Sequence, residues 1–448
     1  MSQPAEVRAG GPGGRDGRAG GMGGMDRPGG LGGPGPGAMG ANGGPGGPET
    51  APVRIAAPQV ITAEAGARIL SPGYVTISGS VVTDVGEGRP PAAPDIDLPD
   101  GTLVPGFVDL QVNGYFGADF RTAGADGWAA VVRGLPASGT TAFLPTLITA
   151  PLGELTATLR AAAALAPRLP FGARVLGVHM EGPFISPQRR GAHNADWIIT
   201  PTPAAVDALI EAAGGLLRVL TLAPELPGAL AAITQLSDAG VLVSMGHSDA
   251  TAQQVALGAE HGARMVTHLF DGQRGLHHRE PGVVGQALTD PRLTSGLIAD
   301  LHHVCGPACQ IAFAAAPGRI AIVTDAAACA GMPPGRYLLG GELIELPAGD
   351  GVPPVRADGT LAGSALRMDT GVANMVTAGV GLAAAVAAAS RVPADLIGRP
   401  DLGRIAPGSA ADLVWLGPDR RARATWIGGQ RMEPGAAYAA DGAAGIER

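Results

Sequence analysis

Four motifs place carboxylate or imidazole side chains directly after apolar runs of the sequence. Glu181 precedes Gly-Pro, His247 stands in Gly-His-Ser, His268 stands in Thr-His-Leu-Phe, and Asp325 ends Val-Thr-Asp. One carboxylate and two imidazoles form a ligand set for a divalent metal, and a second carboxylate can accept a proton from metal-activated water. These residue types therefore predict a metal-dependent hydrolase.

Each of these side chains also has an ordinary structural explanation when it is taken alone. A glutamate before Gly-Pro commonly lies in a solvated loop, and a single buried histidine more often forms hydrogen bonds in the core than binds a metal. The metal hypothesis therefore depends on whether the fold brings the four motifs to one place.

Eight apolar, β-branched runs supply the elements that would position these motifs. The runs are continuous rather than alternating, which is typical of parallel strands covered on both faces. They span residues 107–112, 140–146, 175–181, 219–223, 241–245, 265–269, 296–299 and 320–324. Ala- and Leu-rich segments of helical character separate most of them, including 154–165, 203–213 and 227–239.

Eight such units predict a (β/α)8 TIM-like barrel of the α/β class over residues 105–402, with its active site at the carboxyl ends of the strands. The four motifs end the third, fifth, sixth and eighth runs, so we expect them to meet at one mouth. Within this region, residues 369–389 are predicted to form one long Ala-rich helix.

The two flanks of the barrel, 53–104 and 403–433, contain short apolar stretches broken by Gly and Pro. Each flank has too few strands to be stable alone, so we expect the two to pair into one small β domain. Residues 1–52 are rich in Gly and Pro and are predicted to be a disordered tail, because they cannot bury enough apolar surface to offset chain entropy. Residues 434–448 are predicted to be a C-terminal tail.

Composition excludes several alternative chemistries. All 31 basic residues are Arg, so a catalytic Lys Schiff base, a phosphate-binding P-loop Lys and a Lys carbamate between two metals are excluded. The net charge of −8 and the lack of Arg clusters in the folded part argue against nucleic acid as a partner. No secretory signal or membrane-spanning run is recognisable, so we expect a cytoplasmic protein without a membrane partner. The three cysteines show no CxxC spacing and are predicted to be reduced thiols.

Several motifs occur in the order typical of one family. They are LVPGFVDLQVNG at 103–114, HMEGP at 179–183, GAHN at 191–194, GHS at 246–248, HHREPG at 277–282, VTD at 323–325 and LAGS at 361–364. Together they resemble the N-acetylglucosamine-6-phosphate deacetylase family of the amidohydrolase superfamily over residues 53–433. The resemblance implies a barrel with a small β-sandwich domain built from both flanks.

The resemblance also implies the metal centre. The ligands would be Glu181, His247 and His268, with water completing the shell. In superfamily members with two metals a His-x-His pair ends the first strand, whereas this chain has Gln111 and Asn113 there. We therefore expect a single divalent ion. The ligand set suits Zn2+, Fe2+ and Co2+, of which Zn2+ is our expectation.

By the same resemblance, Asp325 would take the proton of the water and pass it to the departing amine. His303 would steady the carbonyl oxygen as it becomes an oxyanion, with the adjacent His302 as the competing candidate. The expected sugar and phosphate contacts are Ala192, His193, Asp271, Gly272, Arg279, Leu361, Ala362 and Gly363. Arg279 would meet the phosphate, either in its own subunit or in the neighbouring subunit of a homodimer.

The implied reaction converts N-acetylglucosamine 6-phosphate into glucosamine 6-phosphate and acetate, in amino-sugar catabolism or cell-wall recycling. One departure matters, because the family usually has Asn-Ala-Met where this chain has Asp271, Gly272 and Gln273. A carboxylate there would repel a phosphate unless Arg274 or Arg279 compensates. A deacetylase for an unphosphorylated or different N-acyl amino sugar is therefore the alternative. A non-catalytic sugar-phosphate sensor would need a lost ligand or base, and all four are present.

Overall fold

The computed structural model describes residues 51–64, 68–349 and 351–432. The predicted tails, apart from residues 51 and 52, lie outside the described residues. The strands are β1 (Val53–Ala57), β2 (Val60–Ile61), β3 (Ile69–Leu70), β4 (Gly73–Ser78), β5 (Val81–Glu87), β6 (Ile96–Asp97), β7 (Thr102–Pro105), β8 (Phe107–Val112), β9 (Gly114–Tyr115), β10 (Ala118–Asp119), β11 (Thr140–Ile148), β12 (Arg174–Val175), β13 (Val178–Glu181), β14 (Leu217–Leu222), β15 (Leu242–Met245), β16 (Met265–Val266), β17 (Thr294–Ile298), β18 (Ile320–Val323), β19 (Gly335–Leu339), β20 (Glu342–Leu346), β21 (Leu413–Leu416), β22 (Ala422–Ile427) and β23 (Gln430–Met432).

Ten α-helices accompany these strands in the described part of the chain. They are α1 (Ala125–Gly134), α2 (Leu152–Leu165), α3 (Pro203–Ala213), α4 (Ala229–Asp238), α5 (Ala252–Glu260), α6 (Gly282–Thr289), α7 (Gly306–Ala315), α8 (Met368–Thr377), α9 (Leu382–Ala389) and α10 (Arg391–Leu396). No helix among the described residues is long and apolar enough to cross a membrane.

A parallel sheet of eight principal strands forms the barrel that the sequence predicts. Its spatial order is β8, β11, β13, β14, β15, β16, β17 and β18, with β12 pairing beside β11. Each predicted run overlaps one of these strands. All nine residues of β11 are buried, as expected for a strand covered on both faces. The fold is therefore a (β/α)8 TIM-like barrel, as predicted.

The barrel closes where β18 lies beside β8, although no continuous ladder joins these two strands among the described residues. Backbone hydrogen bonds join the chain segments just beyond their ends. The amide of Asp325 donates to the carbonyl of Gln111 at 2.9 Å, and the amide of Asn113 donates to the carbonyl of Ala326 at 2.8 Å. We call this junction the β8/β18 seam. It brings the end of the chain's first barrel strand to the residue predicted to be the base.

The long helix predicted over 369–389 was wrong. The structure has two helices, α8 and α9, separated by residues 378–381. Gly379 has φ +93°, a conformation that residues with a side chain rarely adopt, and Gly381 precedes the start of α9. The Ala-rich composition favours helix on both sides, but the two glycines separate the end of one helix from the start of the next.

Both flanks contribute to a small β domain, as the sequence predicts. Strands β5, β4, β1 and β6 form one sheet, and β23, β22, β21, β7, β2 and β3 form a second. Ile55, Val75 and Ile77 of the first sheet share one apolar core with Leu413 and Trp426 of the second. Strand β7 precedes the barrel and pairs with β21, which follows it. The predicted domain boundaries at 104/105 and 402/403 remain predictions.

Candidate metal-dependent active site

A cavity of about 200 Å3 opens at the carboxyl ends of the barrel strands. Its lining includes eleven of the residues predicted from the sequence, namely Glu181, Ala192, His193, His247, His268, Asp271, Gly272, His303, Asp325, Leu361 and Gly363. Two predicted residues lie elsewhere. Ala362 is buried in a small apolar cluster with Ile344, and Arg279 is exposed on the loop before α6. The barrel therefore gathers the strand-end motifs into one site.

Glu181, His247 and His268 converge on one point of this cavity. Oε1 of Glu181 lies 3.0 Å from Nε2 of His247 and 2.9 Å from Nε2 of His268. The two Nε2 atoms are 3.1 Å apart. All three side chains are nearly inaccessible to solvent, with at most 8% of any of them exposed.

The hydrogen bonds behind the two imidazoles determine which ring nitrogen faces the centre. Nδ1 of His247 lies 2.9 Å from the carbonyl of Arg189, and Nδ1 of His268 lies 3.2 Å from the carbonyl of Asp271. Because a carbonyl only accepts, each Nδ1 carries the proton and donates it, and in the neutral ring Nε2 presents its lone pair. Two lone pairs and a carboxylate oxygen thus face one another. This donor set fits a divalent metal.

When no cation is bound, a proton on His268 takes the place of the metal ion and balances the charge of Glu181. Burial opposes ionisation of Glu181, but hydrogen bonds from His247 and His268 hold its pKa well below the usual range. Burial disfavours the charged form of His268, yet the hydrogen bond and the charge of Glu181 raise its pKa to about 9. The buried carboxylate thus demands a positive charge beside it, which a metal ion supplies when it is bound.

Three functional side chains are carried by residues with left-handed backbone. His247 has φ +45°, His268 has φ +20° and Asp325 has φ +51°. Each conformation costs about 1–3 kcal/mol for a residue with a side chain and persists only where neighbouring structure imposes it. Backbone hydrogen bonds impose it here, because the carbonyl of His247 accepts from Ser186 at 2.8 Å. The strain turns each side chain from its strand into the cavity mouth.

Gly272 must be a glycine to accommodate His247. It has φ +58°, and a Cβ on it would lie 2.8 Å from Nδ1 of His247. That contact is too close for a carbon atom and is made with a ring held by its own hydrogen bond. The glycine therefore provides the room in which the imidazole is oriented.

Asp325 lies beside the metal cluster and is bound by two amide side chains. Nε2 of Gln111 donates both to Oδ1 of Asp325 and to Oε1 of Glu181, each at 3.0 Å. Nδ2 of Asn113 donates to the same Oδ1 at 2.7 Å. Burial and the charge of Glu181 raise the pKa of Asp325 to about 6, which suits a general base near neutral pH. Gln111 and Asn113 therefore act as hydrogen-bond donors to the two carboxylates.

The structure directs His303 rather than His302 into the cavity. Nδ1 of His303 lies 2.7 Å from Oδ2 of Asp300, and its side chain is only 6% exposed. Burial disfavours the charged ring, but the hydrogen bond and charge of Asp300 raise the pKa of His303. With Nδ1 donating to Asp300, the ring can donate Nε2–H to a ligand whenever it is protonated, and the raised pKa favours that form. His302 is exposed to solvent.

His193 and Ala192 lie on the loop that follows β13. The ring of His193 is buried, and its centroid lies 4.4 Å from the centroid of the His247 ring. Nδ1 of His193 lies 2.7 Å from Oγ1 of Thr149. Burial lowers the pKa of His193 to about 3, so the ring is neutral. Nη1 of Arg356 donates to the carbonyl of Ala192 at 2.6 Å and thereby anchors the loop.

His179, which shares a strand with Glu181, lies below the site rather than in it. Its Nδ1 donates to the carbonyl of Leu110 at 3.0 Å, and its Nε2 lies 2.8 Å from the hydroxyl of Thr221. Burial lowers the pKa of His179 to about 4. Its hydrogen bonds therefore tie β13 to β8 and β14 beneath the metal cluster.

Asp271 is the unusual residue of the cavity wall. Its Oδ2 is buried and has no hydrogen-bond partner among the described residues. Burial raises the pKa of this carboxyl to about 6, while the nearby His268 and His303 oppose that rise. An unpartnered buried acceptor in a binding cavity favours a ligand that brings a hydrogen-bond donor.

Sequence reasoning missed part of the lining. Ile148, Ile298, Leu339 and Thr360 also line the cavity. Leu339 comes from the β19–β20 hairpin, and no motif in that hairpin indicates a functional role. The sequence does indicate a role for Asp300. It stands three residues before His303, and a catalytic histidine commonly has a carboxylate partner.

A carboxylate, two inward-facing imidazoles and a neighbouring base at the mouth of a (β/α)8 barrel define a metal-dependent hydrolase. Comparison with known proteins gives the family. Residues 102–432 match the amidohydrolase family, and the chain belongs to it.

Relatives within this family are deacetylases of amino-sugar phosphates. An N-acetylgalactosamine-6-phosphate deacetylase of Escherichia coli O157:H7 is 41% identical over 73% of this chain and 87% of its own length. An N-acetylglucosamine-6-phosphate deacetylase of Danio rerio is 38% identical over 75% of this chain and 86% of its own length. A Mycobacterium smegmatis N-acetyl-D-glucosamine-6-phosphate deacetylase, solved as an aspartate-to-alanine variant with N-acetyl-D-glucosamine-6-phosphate, superposes with a TM-score of 0.79. That structure is 34% identical and covers 85% of this chain and 99% of its own.

Proposed function

We propose that this protein hydrolyses the acetamide of N-acetylglucosamine 6-phosphate to give glucosamine 6-phosphate and acetate. The observation that carries the proposal is the convergence of Glu181, His247 and His268 beside Asp325 in one cavity. The relatives, which act on amino-sugar phosphates by name, supply the substrate class. The product belongs to amino-sugar catabolism or cell-wall recycling, and we place the enzyme in the cytoplasm.

Glu181, His247 and His268 would hold one divalent ion, for which we propose Zn2+, with Fe2+ and Co2+ as alternatives. Such an ion polarises the acetamide carbonyl and lowers the pKa of a water molecule. Two imidazoles and a carboxylate suit all three metals. Metal analysis of the purified protein distinguishes them.

Asp325 performs the proton transfers in this proposal. Its carboxylate accepts a proton from the water as the water oxygen bonds to the acetamide carbon. It then gives that proton to the amino-sugar nitrogen as the carbon–nitrogen bond breaks. Acetate and the free amine result. Gln111 and Asn113, which donate to Oδ1, hold the carboxylate in place for both transfers.

His303 stabilises the negative charge that develops on the carbonyl oxygen. Its protonated ring is held by Asp300 and lines the cavity, so it donates Nε2–H without reorganising during the reaction. His193, Ala192, Leu361 and Gly363 surround the sugar in this proposal. Ala362, between the last two, is buried in its apolar cluster and supports that wall from behind.

We propose that the phosphate lies near Gly272 and is met by Arg279. Arg279 is exposed in its own subunit, and its Nη1 lies 3.1 Å from Nε2 of the equally exposed His278. It is therefore free to reach the phosphate in the cavity of a partner subunit within a homodimer. Mixing inactive R279A and D325N proteins tests this arrangement, because one hybrid site would regain both functional residues. Failure of the mixture to regain activity, with dimers present, argues against a shared site.

A second function is favoured by Asp271. Its unpartnered carboxylate oxygen would accept a hydrogen bond from a sugar hydroxyl and would repel a phosphate. The alternative substrate is an unphosphorylated or different N-acyl amino sugar. Acetate release from N-acetylglucosamine 6-phosphate, N-acetylgalactosamine 6-phosphate and free N-acetylglucosamine, measured side by side, decides between these functions. A preference for the free sugar would overturn the leading proposal.

A further inference from the structure

We propose that Asp109 is a positioning residue for the hydrolytic reaction and acts through Thr324 on the base Asp325. This inference rests on the proposed function, since it concerns the geometry of that base. Asp109 lies on β8, and Thr324 follows β18 directly. Both residues are buried and neither lines the cavity.

The Asp109 carboxylate accepts three hydrogen bonds, two from Thr324 across the β8/β18 seam and one from Gln111 on its own strand. Its Oδ2 accepts from the hydroxyl of Thr324 at 2.6 Å, and its Oδ1 accepts from the backbone amide of Thr324 at 3.2 Å. Oδ1 also accepts from the amide of Gln111 at 3.2 Å. A single carboxylate thus fixes the backbone just before Asp325 and the backbone of the residue that donates to Asp325.

These contacts replace a strand ladder at the point where the barrel closes. The other seven junctions between neighbouring barrel strands have parallel backbone ladders in the described structure. At the β8/β18 seam, the carboxylate of Asp109 supplies bonds that carbonyl groups supply elsewhere. The side chain therefore adds to the backbone hydrogen bonds that join the segments just beyond the strand ends, and it helps to keep β18 in register with β8.

The conformation of Asp325 depends on this register. Asp325 has φ +51°, a strained conformation, and its amide donates to the carbonyl of Gln111 at 2.9 Å. Thr324 is held on its other side too, because its carbonyl accepts from the hydroxyl of Ser364 at 2.5 Å. With the residue before it fixed from two directions, Asp325 keeps Oδ1 within reach of both Gln111 and Asn113.

Because Asp109 is buried, its carboxylate does not contribute to the solubility of the protein. Asp109 is fully buried, and burial raises its pKa to about 7, although the hydrogen bonds from Thr324 oppose that rise. A buried carboxylate that only joined two strands would be costly compared with an apolar residue. In our proposal, the carboxylate of Asp109 is present despite this free-energy cost because it positions the catalytic base.

The test compares two valine substitutions that each remove a hydroxyl bonded to β8. T324V removes the donor to Asp109. T141V is the matched control, because Oγ1 of Thr141 donates to the carbonyl of Phe107 at 3.2 Å at the opposite end of the barrel. T324S keeps the hydroxyl and should restore the kcat that T324V loses. The measurements are kcat, KM, bound metal and melting temperature. The substrate is the acetamido sugar from which the wild-type protein releases acetate fastest.

We expect T324V to lower kcat by about 10-fold or more, because small displacements of a catalytic group have effects of that size. KM and metal content should stay within about 2-fold of wild type. T324S and T141V should keep most of the kcat. Equal kcat in T324V and T141V, with similar losses of melting temperature, would show that the contact only stabilises the barrel and would overturn the inference.

D109N provides a second route if T324V does not fold. The amide has the shape of the carboxylate and keeps an acceptor for the two backbone amides, but the NH2 group that replaces Oδ2 cannot accept from the Thr324 hydroxyl. We expect a lower kcat with unchanged metal content. Wild-type kcat in D109N would overturn the inference. Absence of acetate release by the wild-type protein would instead overturn the proposed function, so the two failures are distinguishable.

Discussion

Nε2 of His247 and Nε2 of His268 lie 3.1 Å apart, each with its opposite nitrogen donating to a backbone carbonyl. When both imidazoles are neutral, their lone pairs point at each other, which is unfavourable unless a cation lies between them. Glu181 adds a carboxylate oxygen to the same point. The arrangement is the ligand set that we expect to bind a divalent metal ion.

Removal of a metal ligand should abolish both metal binding and turnover. In H247A, one of the two inward-facing nitrogens is lost, and we expect at least a 10-fold loss of metal affinity. Metal analysis after dialysis against a weak chelator measures the effect. H179A is a useful comparison, because that histidine lies below the site and should leave the ligand set complete. Full metal occupancy in H247A would contradict the assignment.

Substitution of the base should separate chemistry from metal binding. D325N keeps the shape of the side chain but cannot accept the proton of the water. We expect kcat to fall by at least about 100-fold, in the range typical of general-base removal, with bound metal unchanged. Acetate release by a metal-loaded sample of the variant measures the loss of kcat. Wild-type activity in D325N would remove Asp325 from the mechanism.

Activity should fall on the acidic side of neutrality. Burial and the charge of Glu181 raise the pKa of Asp325 to about 6, and the base works only when it is deprotonated. The rate therefore decreases as the pH falls through that pKa. A bound cation favours the carboxylate and places the acidic limb of kcat/KM at or below about pH 6.

Substitution of Asn113 should shift the acidic limb of the kcat/KM profile in a predictable direction. Its amide donates to Oδ1 of Asp325 at 2.7 Å and lowers the pKa of that carboxyl. N113L removes the donor, so the pKa of Asp325 rises and the acidic limb should move to higher pH. A pH–rate profile of kcat/KM at constant ionic strength measures the shift. An unmoved or lowered limb would show that this hydrogen bond does not tune the base.

The predictable part of this site lies in its strand ends. Glu181 ends a strand, and His247, His268 and Asp325 each come two residues after one. A local pattern of apolar residues is enough to locate such positions. The roles of Gln111 and Asn113 were less accessible. Their amide groups donate to Asp325 only because the barrel closes between its first and last strands, a contact that spans 214 residues for Gln111.

Two other features were beyond local reasoning for different physical reasons. The helix predicted over 369–389 failed because Gly379 adopts a conformation that outweighs the helix preference of the alanines around it. Leu339 lines the cavity from a hairpin whose two strands carry no chemical motif. Its position is set by tertiary contacts, including a hydrogen bond from the amide of Gly340 to Oδ2 of Asp119.

The choice between phosphorylated and free sugar should depend on Asp271. D271N replaces the buried carboxylate with a neutral side chain of the same size. We expect the ratio of kcat/KM for N-acetylglucosamine 6-phosphate over N-acetylglucosamine to rise by about 10-fold, because one repulsive charge is removed. Steady-state assays with both sugars measure the ratio. A ratio that stays constant would show that Asp271 does not face the phosphate.

Gly272 offers a test of the packing behind the metal site. G272A places a Cβ in a left-handed conformation and 2.8 Å from Nδ1 of His247. We expect about 1–3 kcal/mol of lost stability together with weaker metal binding, because the ring must move. Thermal unfolding with and without metal measures both effects. G214A, at a left-handed helix end with open space around it, is the matched control. Equal metal affinity in G272A and G214A would contradict the proposed contact.

The most direct measurement is acetate release from N-acetylglucosamine 6-phosphate by protein of known metal content, before and after chelation. We predict rapid release that stops when the metal is removed and returns when Zn2+ is restored. Such a result would also show that Asp271 is compatible with a phosphorylated substrate. Absence of release from the metal-loaded protein, or release that persists in the fully chelated protein, would contradict the account.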